Sequence, residues 1–511
     1  STGDYADVTA NDVMQYWEDD DSTRVCLLTL DSIGNPRKFS RITRRLARKK
    51  PVVVFAPGRT ERANHAGVRG GLGHAAEEAV DALFRQAGVM VVHRRSDMID
   101  IAKIAARQPL PSGPRVRIIT NSLTLAPQMM QKMESVGLLR DPQPELLEPE
   151  ADSAAFVAAA RAALADPRYD SVVCAAVNAF GHGTEDVIVS LEQVGAEASK
   201  PLLGAFLDFH PPLPSSGEPD VPGLLPRFDG SVDAIHALSA LTAYARWRDR
   251  DPGAVPLLEV DTQAARRVVN RILSEQPAGR ELTDAETAEL LRTYGINLVP
   301  QFAVSSLSDA IAAGDRLGWN VVLKATSAAA RGRPDLASVH RNIDSAAEMT
   351  EAWRDLGQLV AEIGLPDDDG LSVAKPVVQA MAPPGVAIVI TGREDAAFGP
   401  IISFGLDGIP SELLGDIVYR VPPLTTVDAA EMVRDLKAAP TLFGRQGAPG
   451  VDVAGIEDLL HRVAQLSDAI PQLASVTLRP CVASFSSVAV LGARVFIAPT
   501  ADQRDPLARV L

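Results

Sequence analysis

Alternation of short apolar runs with helical segments is the feature that most constrains the fold of this chain. In the first half of the chain, apolar runs occur at 115–120, 171–177 and 201–207, and helical patterns at 154–165 and 185–198 lie between them. Strands that alternate with helices form a parallel sheet with helices on both faces. This region therefore predicts a doubly wound α/β unit.

Three stretches divide the sequence into blocks. Segments 106–113 and 208–229 are rich in proline, glycine or serine, and a third joint lies near Asp251. The last block opens with helical patterns at 262–275 and 283–294 and continues with strands. We expect an α/β protein with two flavodoxin-like parallel-sheet domains and a final α+β domain, at 1–112, 113–255 and 256–511.

The composition narrows the class of protein. With 511 residues, of which 46% are hydrophobic and 23% charged, the chain has enough apolar material for about three domains. The net charge of −15 argues against nucleic acid or an anionic membrane as the main partner, and no apolar run is long enough to span a bilayer. The chain has only three cysteines, and their spacing fits neither a metal site nor a disulfide framework. So few cysteines are typical of a protein from a reducing compartment. We therefore expect a cytoplasmic protein.

His65 is the residue whose setting says most about chemistry. It lies in the glycine-rich segment 62–73, between a predicted buried strand at 50–58 and a predicted helix at 75–87. Open α/β sheets bind ligands at this edge, and a neutral imidazole is a nucleophile that can carry a phosphoryl group near pH 7. The alternative is an ordinary surface histidine in a loop.

Two short motifs carry a resemblance to a known family. His65-Ala66-Gly67 and Ala87-Gly88-Val89 match the phosphohistidine segment of succinyl-CoA synthetases, with Asn64 in place of the usual first glycine. Over nearly its whole length the chain resembles ADP-forming acyl-CoA synthetases, in the form fused to GNAT-type acetyltransferase domains in bifunctional bacterial enzymes. Its opening residues are similar to the start of the ligase region that follows a CoA-binding Rossmann domain. The resemblance thus implies that CoA is bound by a domain absent from this chain.

The resemblance implies a catalytic pair in the first domain. His65 would carry the phosphoryl group, and Asp31 occupies the place of the carboxylate that orients this histidine and fixes its tautomer. A role for Asp31 as a cap of the following turn is an equal alternative. His74 is the alternative phosphoryl carrier, and His182 is a further candidate for the same crevice.

A second phosphate-binding element is implied in the second domain. Relatives place an asparagine followed by glycines at a helix N-terminus there, and this chain has Asn121 and Ser122. Backbone N–H groups and the helix dipole attract phosphate at such an end. Without these glycines, side chains prevent the backbone from coming as close to a ligand.

The third block resembles an ATP-grasp domain. Lys324 matches the lysine that contacts nucleotide phosphates. Glu412 and Asp416 match the motif that begins at Gly405-Leu-Asp-Gly408. The resemblance therefore implies that ATP or ADP is bound in this block.

Three positions depart from the family's ATP-grasp motifs. Ala387 replaces the glutamate of a Gly-Val-Glu motif, the metal-binding motif Asp-x-Asn-Pro reads Thr477-Leu-Arg479-Pro, and Gly492 replaces a second metal carboxylate. Mg²⁺ takes hard oxygen ligands, usually carboxylates, and neither Arg479 nor Gly492 provides one. The sequence therefore identifies no metal ligand, and Arg479 is expected to bind phosphate directly. This pattern favours nucleotide binding with impaired turnover.

The leading hypothesis is a regulatory function. The chain would be the acyl-CoA synthetase-like region of a bifunctional acyltransferase, sensing acyl-CoA or nucleotide for a GNAT domain. The first alternative is an active ADP-forming acetate or acyl-CoA ligase with a phosphohistidine relay, and the second is a structural oligomerisation module. The resemblance also implies that the protein forms homo-oligomers.

Overall fold

The structure is a computed structural model that describes most of the chain. The described residues are 10–29, 36–55, 77–140, 143–178, 184–207, 225–327, 339–362, 374–395, 399–408, 415–444, 447 and 449–500. They form two compact units, the first from the described residues up to 253 and the second from nearly all of those between 254 and 500.

A small parallel sheet lies in the N-terminal part of the first unit. Its strands pair in the order β1 (Cys26–Thr29), β2 (Val52–Phe55) and β3 (Met90–Val92). The helices of this part are α1 (Ala10–Asp19), α2 (Pro36–Lys49), α3 (Glu77–Gln86) and α4 (Arg95–Arg107). Val52, Val53 and Val54 are wholly buried, as expected for a strand covered on both faces. The parallel pairing confirms the α/β fold class predicted for this region.

A second parallel sheet follows in the same unit. Its strands are β4 (Arg115–Thr120), β5 (Leu139–Arg140), β6 (Glu145–Leu146), β7 (Ser171–Val177), β8 (Leu202–Leu207) and β9 (Arg227–Phe228). They lie in the order β5-β4-β7-β8-β9, with β6 also paired to β4. The central strand β7 is almost wholly buried because its residues are apolar or small. This sheet has the doubly wound layout that the alternating pattern predicts.

Helices cover both faces of the second sheet. They are α5 (Leu125–Ser135), α6 (Ser153–Ala165), α7 (Thr184–Glu197) and α8 (Ser231–Asp249). Phe156 of α6 and Leu191 of α7 belong to the core on one face. Met129 of α5 and Leu238 of α8 belong to the core on the other. Each helix thus buries an apolar stripe against the sheet.

Helix α8 also joins the second sheet to the first. The hydroxyl of its buried Tyr244 donates a hydrogen bond of 2.7 Å to the carbonyl oxygen of Ala47 in α2. The core that contains Leu238 also contains Val53 of β2 and Met98 of α4. The two parallel sheets of the first unit therefore share one hydrophobic core.

Two helices open the second unit. They are α9 (Thr262–Glu275) and α10 (Asp284–Arg292), with the short strand β10 (Arg280–Glu281) between them. Thr283 and Glu286 form a capping box at the start of α10, in which the Glu286 carboxylate accepts the Thr283 backbone N–H at 2.9 Å. Arg280 donates two further hydrogen bonds, of 2.7 and 2.8 Å, to this carboxylate. The Arg280 hydrogen bonds are the main cause that lowers the pKa of Glu286 to about 2.

An antiparallel four-stranded sheet follows these helices. Its order is β11-β14-β12-β13, with β11 (Gln301–Ala303), β12 (Val321–Ala325), β13 (Val339–Ile343) and β14 (Pro376–Ala380). Its helices are α11 (Leu307–Leu317) and α12 (Ala346–Glu362). Gly318 ends α11 with a φ of 82°, a left-handed conformation that favours glycine at a helix C-terminus.

A larger sheet completes the second unit. Its order is β10-β20-β18-β15-β16-β17, with β19 paired to β18. The strands are β15 (Val386–Asp395), β16 (Gly399–Leu406), β17 (Ile417–Arg420), β18 (Leu473–Ala483), β19 (Val488–Val490) and β20 (Ala493–Ile497). Two helices, α13 (Thr426–Arg434) and α14 (Val453–Ala469), contribute Met432 and Leu460 to the core of this unit. The two sheets and their helices give the predicted α+β layout.

No helix within the described ranges is both long enough and apolar enough to cross a membrane.

Candidate functional site

Lys324 lies on β12, where alternate residues face the core. Val321 and Leu323 are wholly buried, and Lys324 lies on the opposite, half-exposed face. Its ammonium group donates a hydrogen bond of 2.7 Å to Oε1 of Gln379 and one of 3.4 Å to the carbonyl oxygen of Leu491. The lysine is therefore held where the four-stranded sheet meets the turn between β19 and β20 of the larger sheet.

Gln379 is the buried polar residue that fixes this junction. Gln379 is a polar residue in the otherwise apolar strand β14, and only 3% of it is exposed. Its Nε2 donates to the carbonyl oxygens of Leu491 at 2.9 Å and Val299 at 3.3 Å, and to Oε1 of Gln301 at 3.3 Å. Buried amides are stable only when their donors and acceptors are paired, so this cluster orients the side chain that accepts from Lys324.

The turn at 491–492 also contacts Arg479. The backbone N–H of Arg479 donates to the carbonyl oxygen of Gly492 at 2.9 Å, and the N–H of Leu491 donates to the carbonyl oxygen of Pro480 at 3.0 Å. Lys324 therefore bonds to one residue of this turn while Arg479 bonds to the next. Two cationic residues, one from each sheet, are anchored to the same short segment.

The guanidinium group of Arg479 pairs with a carboxylate. Nη2 of Arg479 lies 2.8 Å from Oδ1 of Asp407, and the two side chains are 48% and 14% exposed. The backbone N–H of Asp407 donates to the carbonyl oxygen of Ala387 at 2.9 Å. Ala387 and Arg479, two of the three positions that depart from the family pattern, therefore both contact Asp407.

Cys481 is buried near Asp407 of this ion pair. Burial raises the pKa of its thiol to about 12, and the negative charge of Asp407 acts in the same direction. A thiol with such a pKa is protonated near pH 7 and is a poor nucleophile.

The described side chains near this turn do not fit a metal ion. Among the described residues, no group of three or more His, Cys, Asp or Glu side chains could hold a metal. The carboxylate of Asp407 is already paired with the guanidinium group of Arg479. At position 492 a β-carbon would lie 2.8 Å from the carbonyl oxygen of Arg479, closer than real contacts allow.

Asp416 accepts backbone hydrogen bonds from the segment that follows α13. It is buried, and its two carboxylate oxygens accept the backbone N–H groups of Lys437 and Ala438 at 2.8 and 2.9 Å. These bonds fix the chain after α13. A contact of Asp416 with nucleotide stays a prediction, and Glu412 lies outside the described residues.

The predicted catalytic residues of the first unit also lie outside the described residues. They are His65 and Asp31, together with the alternative histidines His74 and His182. Their roles stay predictions that rest on the sequence.

Asn121 and Ser122 follow β4 at the carboxyl edge of the second parallel sheet. The Asn121 amide donates to the carbonyl oxygens of Val177 and Pro149 at 3.0 and 3.1 Å and accepts from the Val177 N–H at 2.9 Å. The Ser122 hydroxyl lies 3.0 Å from that of Thr124. Asn121 thus ties the ends of β4 and β7 together, and phosphate binding by this pair stays a prediction.

Two residues of the site were not among those predicted from the sequence. Gln379 is signalled only by its position, as a polar side chain within the apolar run of β14. Asp407 is part of the motif Gly405-Leu-Asp-Gly408, but nothing local marks it as the partner of Arg479.

Comparison with known proteins identifies two domains by family. Residues 273–497 match the ATP-grasp domain, and residues 1–105 match the succinyl-CoA ligase like flavodoxin domain. The first range contains Lys324, Gln379, Asp407 and Arg479. The matches confirm the fold class, with flavodoxin-like parallel-sheet structure followed by an ATP-grasp domain.

Three curated proteins show how far the similarity extends. The β subunit of acetate–CoA ligase (ADP-forming) I of Pyrococcus furiosus is 32% identical over 234 residues, which cover 46% of this chain and 97% of that protein. Acetate–CoA ligase (ADP-forming) I of Archaeoglobus fulgidus is 26% identical over 530 residues, which cover 97% of this chain and 73% of that protein. The 4-hydroxybutyrate–CoA ligase (ADP-forming) of Nitrosopumilus maritimus is 22% identical over 502 residues, which cover 94% of this chain and 71% of that protein. Two of these similarities extend over nearly the whole chain.

Proposed function

We propose that this chain, which belongs to the ADP-forming acyl-CoA synthetase family, binds ADP or ATP in its ATP-grasp domain and acts as an ADP-forming acyl-CoA ligase. The observation that carries the proposal is the ammonium group of Lys324, held at the junction of two sheets by Gln379 and Leu491. An ammonium group is a compact positive charge suited to phosphate. Similarity to an acetate–CoA ligase over 97% of the chain supports the same activity.

The proposed chemistry is a phosphoryl relay through His65. In the direction that forms ATP, inorganic phosphate first displaces CoA from an acyl-CoA, which gives an acyl phosphate and free CoA. A ring nitrogen of neutral His65 attacks the phosphorus of an acyl phosphate, the bond from phosphorus to the acyl oxygen breaks, and the carboxylate leaves. A β-phosphate oxygen of ADP then attacks the same phosphorus, the nitrogen–phosphorus bond breaks, and ATP forms. Asp31 would hold the proton on the other ring nitrogen. Lys324 would neutralise negative charge on the nucleotide phosphates during the second step.

A second candidate function is nucleotide sensing without turnover, as part of a bifunctional acyltransferase. The Arg479–Asp407 ion pair favours it, because a guanidinium group lies where relatives are expected to hold a metal. Phosphoryl transfer depends on neutralisation of charge, commonly by Mg²⁺, so an altered site slows it. In this case nucleotide would bind, but no phosphohistidine would form.

Labelling with γ-³²P-ATP and Mg²⁺ separates the two candidates. The ligase proposal predicts acid-labile, base-stable label on the wild-type protein, since phosphohistidine has this stability. His65→Ala removes the label, whereas His93→Ala, which changes an exposed histidine of the same unit, retains it. His74→Ala tests the alternative carrier in the same way.

The remaining outcomes are equally informative. Nucleotide binding without label on the wild type would favour the sensing function. If the label persists in His65→Ala but is lost in His74→Ala, His74 is the residue that carries the phosphoryl group. Absence of nucleotide binding by the wild-type protein would contradict both candidates.

A further inference from the structure

We infer that the guanidinium group of Arg479 replaces a protein-held divalent cation, so that nucleotide binds to this site without Mg²⁺. The inference rests on the proposed function, since it assumes that the nucleotide phosphates lie near Lys324. It specifies how their negative charge is neutralised. The positive charge belongs to the protein and is present at any metal concentration.

The position of Arg479 is the first support. Its backbone N–H bonds to Gly492, and the ammonium group of Lys324 bonds to the adjacent Leu491, so one turn holds the lysine charge and the backbone of the arginine. Phosphate groups bound by the lysine are therefore close to the strand that carries the arginine. A guanidinium group binds phosphate with two parallel hydrogen bonds, which an ammonium group does not form.

The setting of the guanidinium group is the second support. Asp407 is 14% exposed, while the Arg479 side chain is 48% exposed. The guanidinium group is thus paired with a carboxylate, while about half of the Arg479 side chain faces solvent. An arginine has five N–H donors in a planar arrangement, so the pairing with Asp407 alone does not use all of them.

The poor fit of a metal ion is the third support. A divalent cation near Asp407 would be repelled by the guanidinium charge 2.8 Å from the carboxylate. Restoring a carboxylate at Gly492 would put its β-carbon 2.8 Å from a backbone oxygen of Arg479. Mg²⁺ needs several hard oxygen ligands at short distance, and within the described part of the site the carboxylate beside Arg479, that of Asp407, is already paired.

Calorimetric titration of the full chain with ADP tests the inference, in excess EDTA and in Mg²⁺. The wild-type protein is expected to bind ADP in EDTA with an affinity similar to that in Mg²⁺. In EDTA, Arg479→Gln is expected to weaken binding by about 10-fold or more, the usual effect of losing a charge-assisted hydrogen bond. Arg479→Lys keeps the charge but not the paired donors, so its affinity is expected to lie between the two.

Arg494→Gln is the matched control. Arg494 lies on β20 of the same sheet and pairs with Glu281 at 2.6 and 2.8 Å, with both side chains well exposed. Arg494 and Glu281 form an ion pair of the same kind as Arg479 and Asp407. None of the side-chain hydrogen bonds given above joins this pair to Lys324, Gln379 or the turn at 491–492. Substitution of Arg494 should leave ADP affinity unchanged, and thermal unfolding of each variant shows that it is folded.

Each result bears on a different statement. Binding that requires Mg²⁺ in the wild type, or that is as tight in Arg479→Gln as in the wild type, overturns the inference and leaves the proposed function standing. No ADP binding by the wild type in either condition overturns the proposed function, and the inference with it.

Discussion

Oε1 of Gln379 accepts a hydrogen bond of 2.7 Å from the ammonium group of Lys324. Because the same side chain donates to Leu491, Val299 and Gln301, Gln379→Leu removes hydrogen bonds from several partly buried groups. We expect the free energy of unfolding to fall by about 1–3 kcal/mol. We also expect ADP affinity to fall, because Lys324 loses the acceptor that orients it. Urea denaturation and ADP titration measure the two effects.

Gln465→Leu is the matched control for that substitution. Gln465 lies on α14 of the same unit, and its buried Oε1 has no hydrogen-bond partner among the described residues. Its replacement by leucine should leave ADP affinity unchanged. If Gln379→Leu lowered stability but not ADP affinity, Gln379 would be a structural residue with no part in positioning Lys324.

Asp416→Asn tests whether this residue supports the fold or contacts nucleotide. Asparagine keeps one carbonyl oxygen but presents an N–H₂ group to one of the two backbone N–H groups that Asp416 now binds. We expect a loss of about 1–3 kcal/mol in the free energy of unfolding, with unchanged ADP affinity of the folded protein. A fall in ADP affinity without loss of stability would instead support the nucleotide contact that the family resemblance implies.

The pKa of Glu286 predicts a stability difference that depends on pH. Its folded value is about 2, against an ordinary value of 4.5, so the carboxylate stabilises the fold above pH 4.5. This contribution is lost as pH falls from 4.5 towards about 2. We expect Glu286→Gln to cost about 1–3 kcal/mol at neutral pH, through the capping box and the bonds to Arg280, and progressively less in acid.

Urea denaturation over a pH series measures this difference, with Glu289→Gln as the control. Glu289 lies on the same helix and pairs with Arg271, but both side chains are nearly half exposed, so its loss should have a smaller effect. A cost for Glu286→Gln that stayed constant down to pH 2 would disprove the assigned linkage.

The three cysteines should be unreactive in the folded protein. Cys26, Cys174 and Cys481 are buried free thiols, and burial raises their pKa values to about 11, 12 and 12. The thiolate is the reactive form, and it is scarce near pH 7. We expect no rapid reaction with an aromatic disulfide reagent in native buffer and three reactive thiols in guanidinium chloride. Rapid release of one equivalent of aryl thiolate by the native protein would show that one cysteine is accessible, against its burial here.

Elements with a strong local pattern are predictable from the sequence. The apolar run at 171–177 predicts a strand, and β7 has these bounds, because a strand buried on both faces needs consecutive apolar or small residues. The periodic segment at 262–275 predicts a helix, and α9 has the same bounds. Lys324 is also identifiable, since it ends an apolar strand that resembles a known motif.

Contacts between distant residues are not predictable in the same way. Arg479 is conspicuous in the sequence, but its pairing with Asp407 depends on the strand order β18-β15-β16. Gln379 meets Lys324 because β14 pairs with β12, opposite Val322. No pattern within a single element encodes these neighbours, so the electrostatics of the site became visible only with the sheet order.

The shared core of the first unit affects how that unit unfolds and how it tolerates truncation. Val53 and Met98 lie in the same core as Leu238, and Tyr244 of α8 bonds to Ala47. A chain cut between the two parallel sheets, near residue 112, would expose apolar surface on both fragments. The two sheets should therefore melt in a single cooperative transition, and neither should be obtained in folded form without the other.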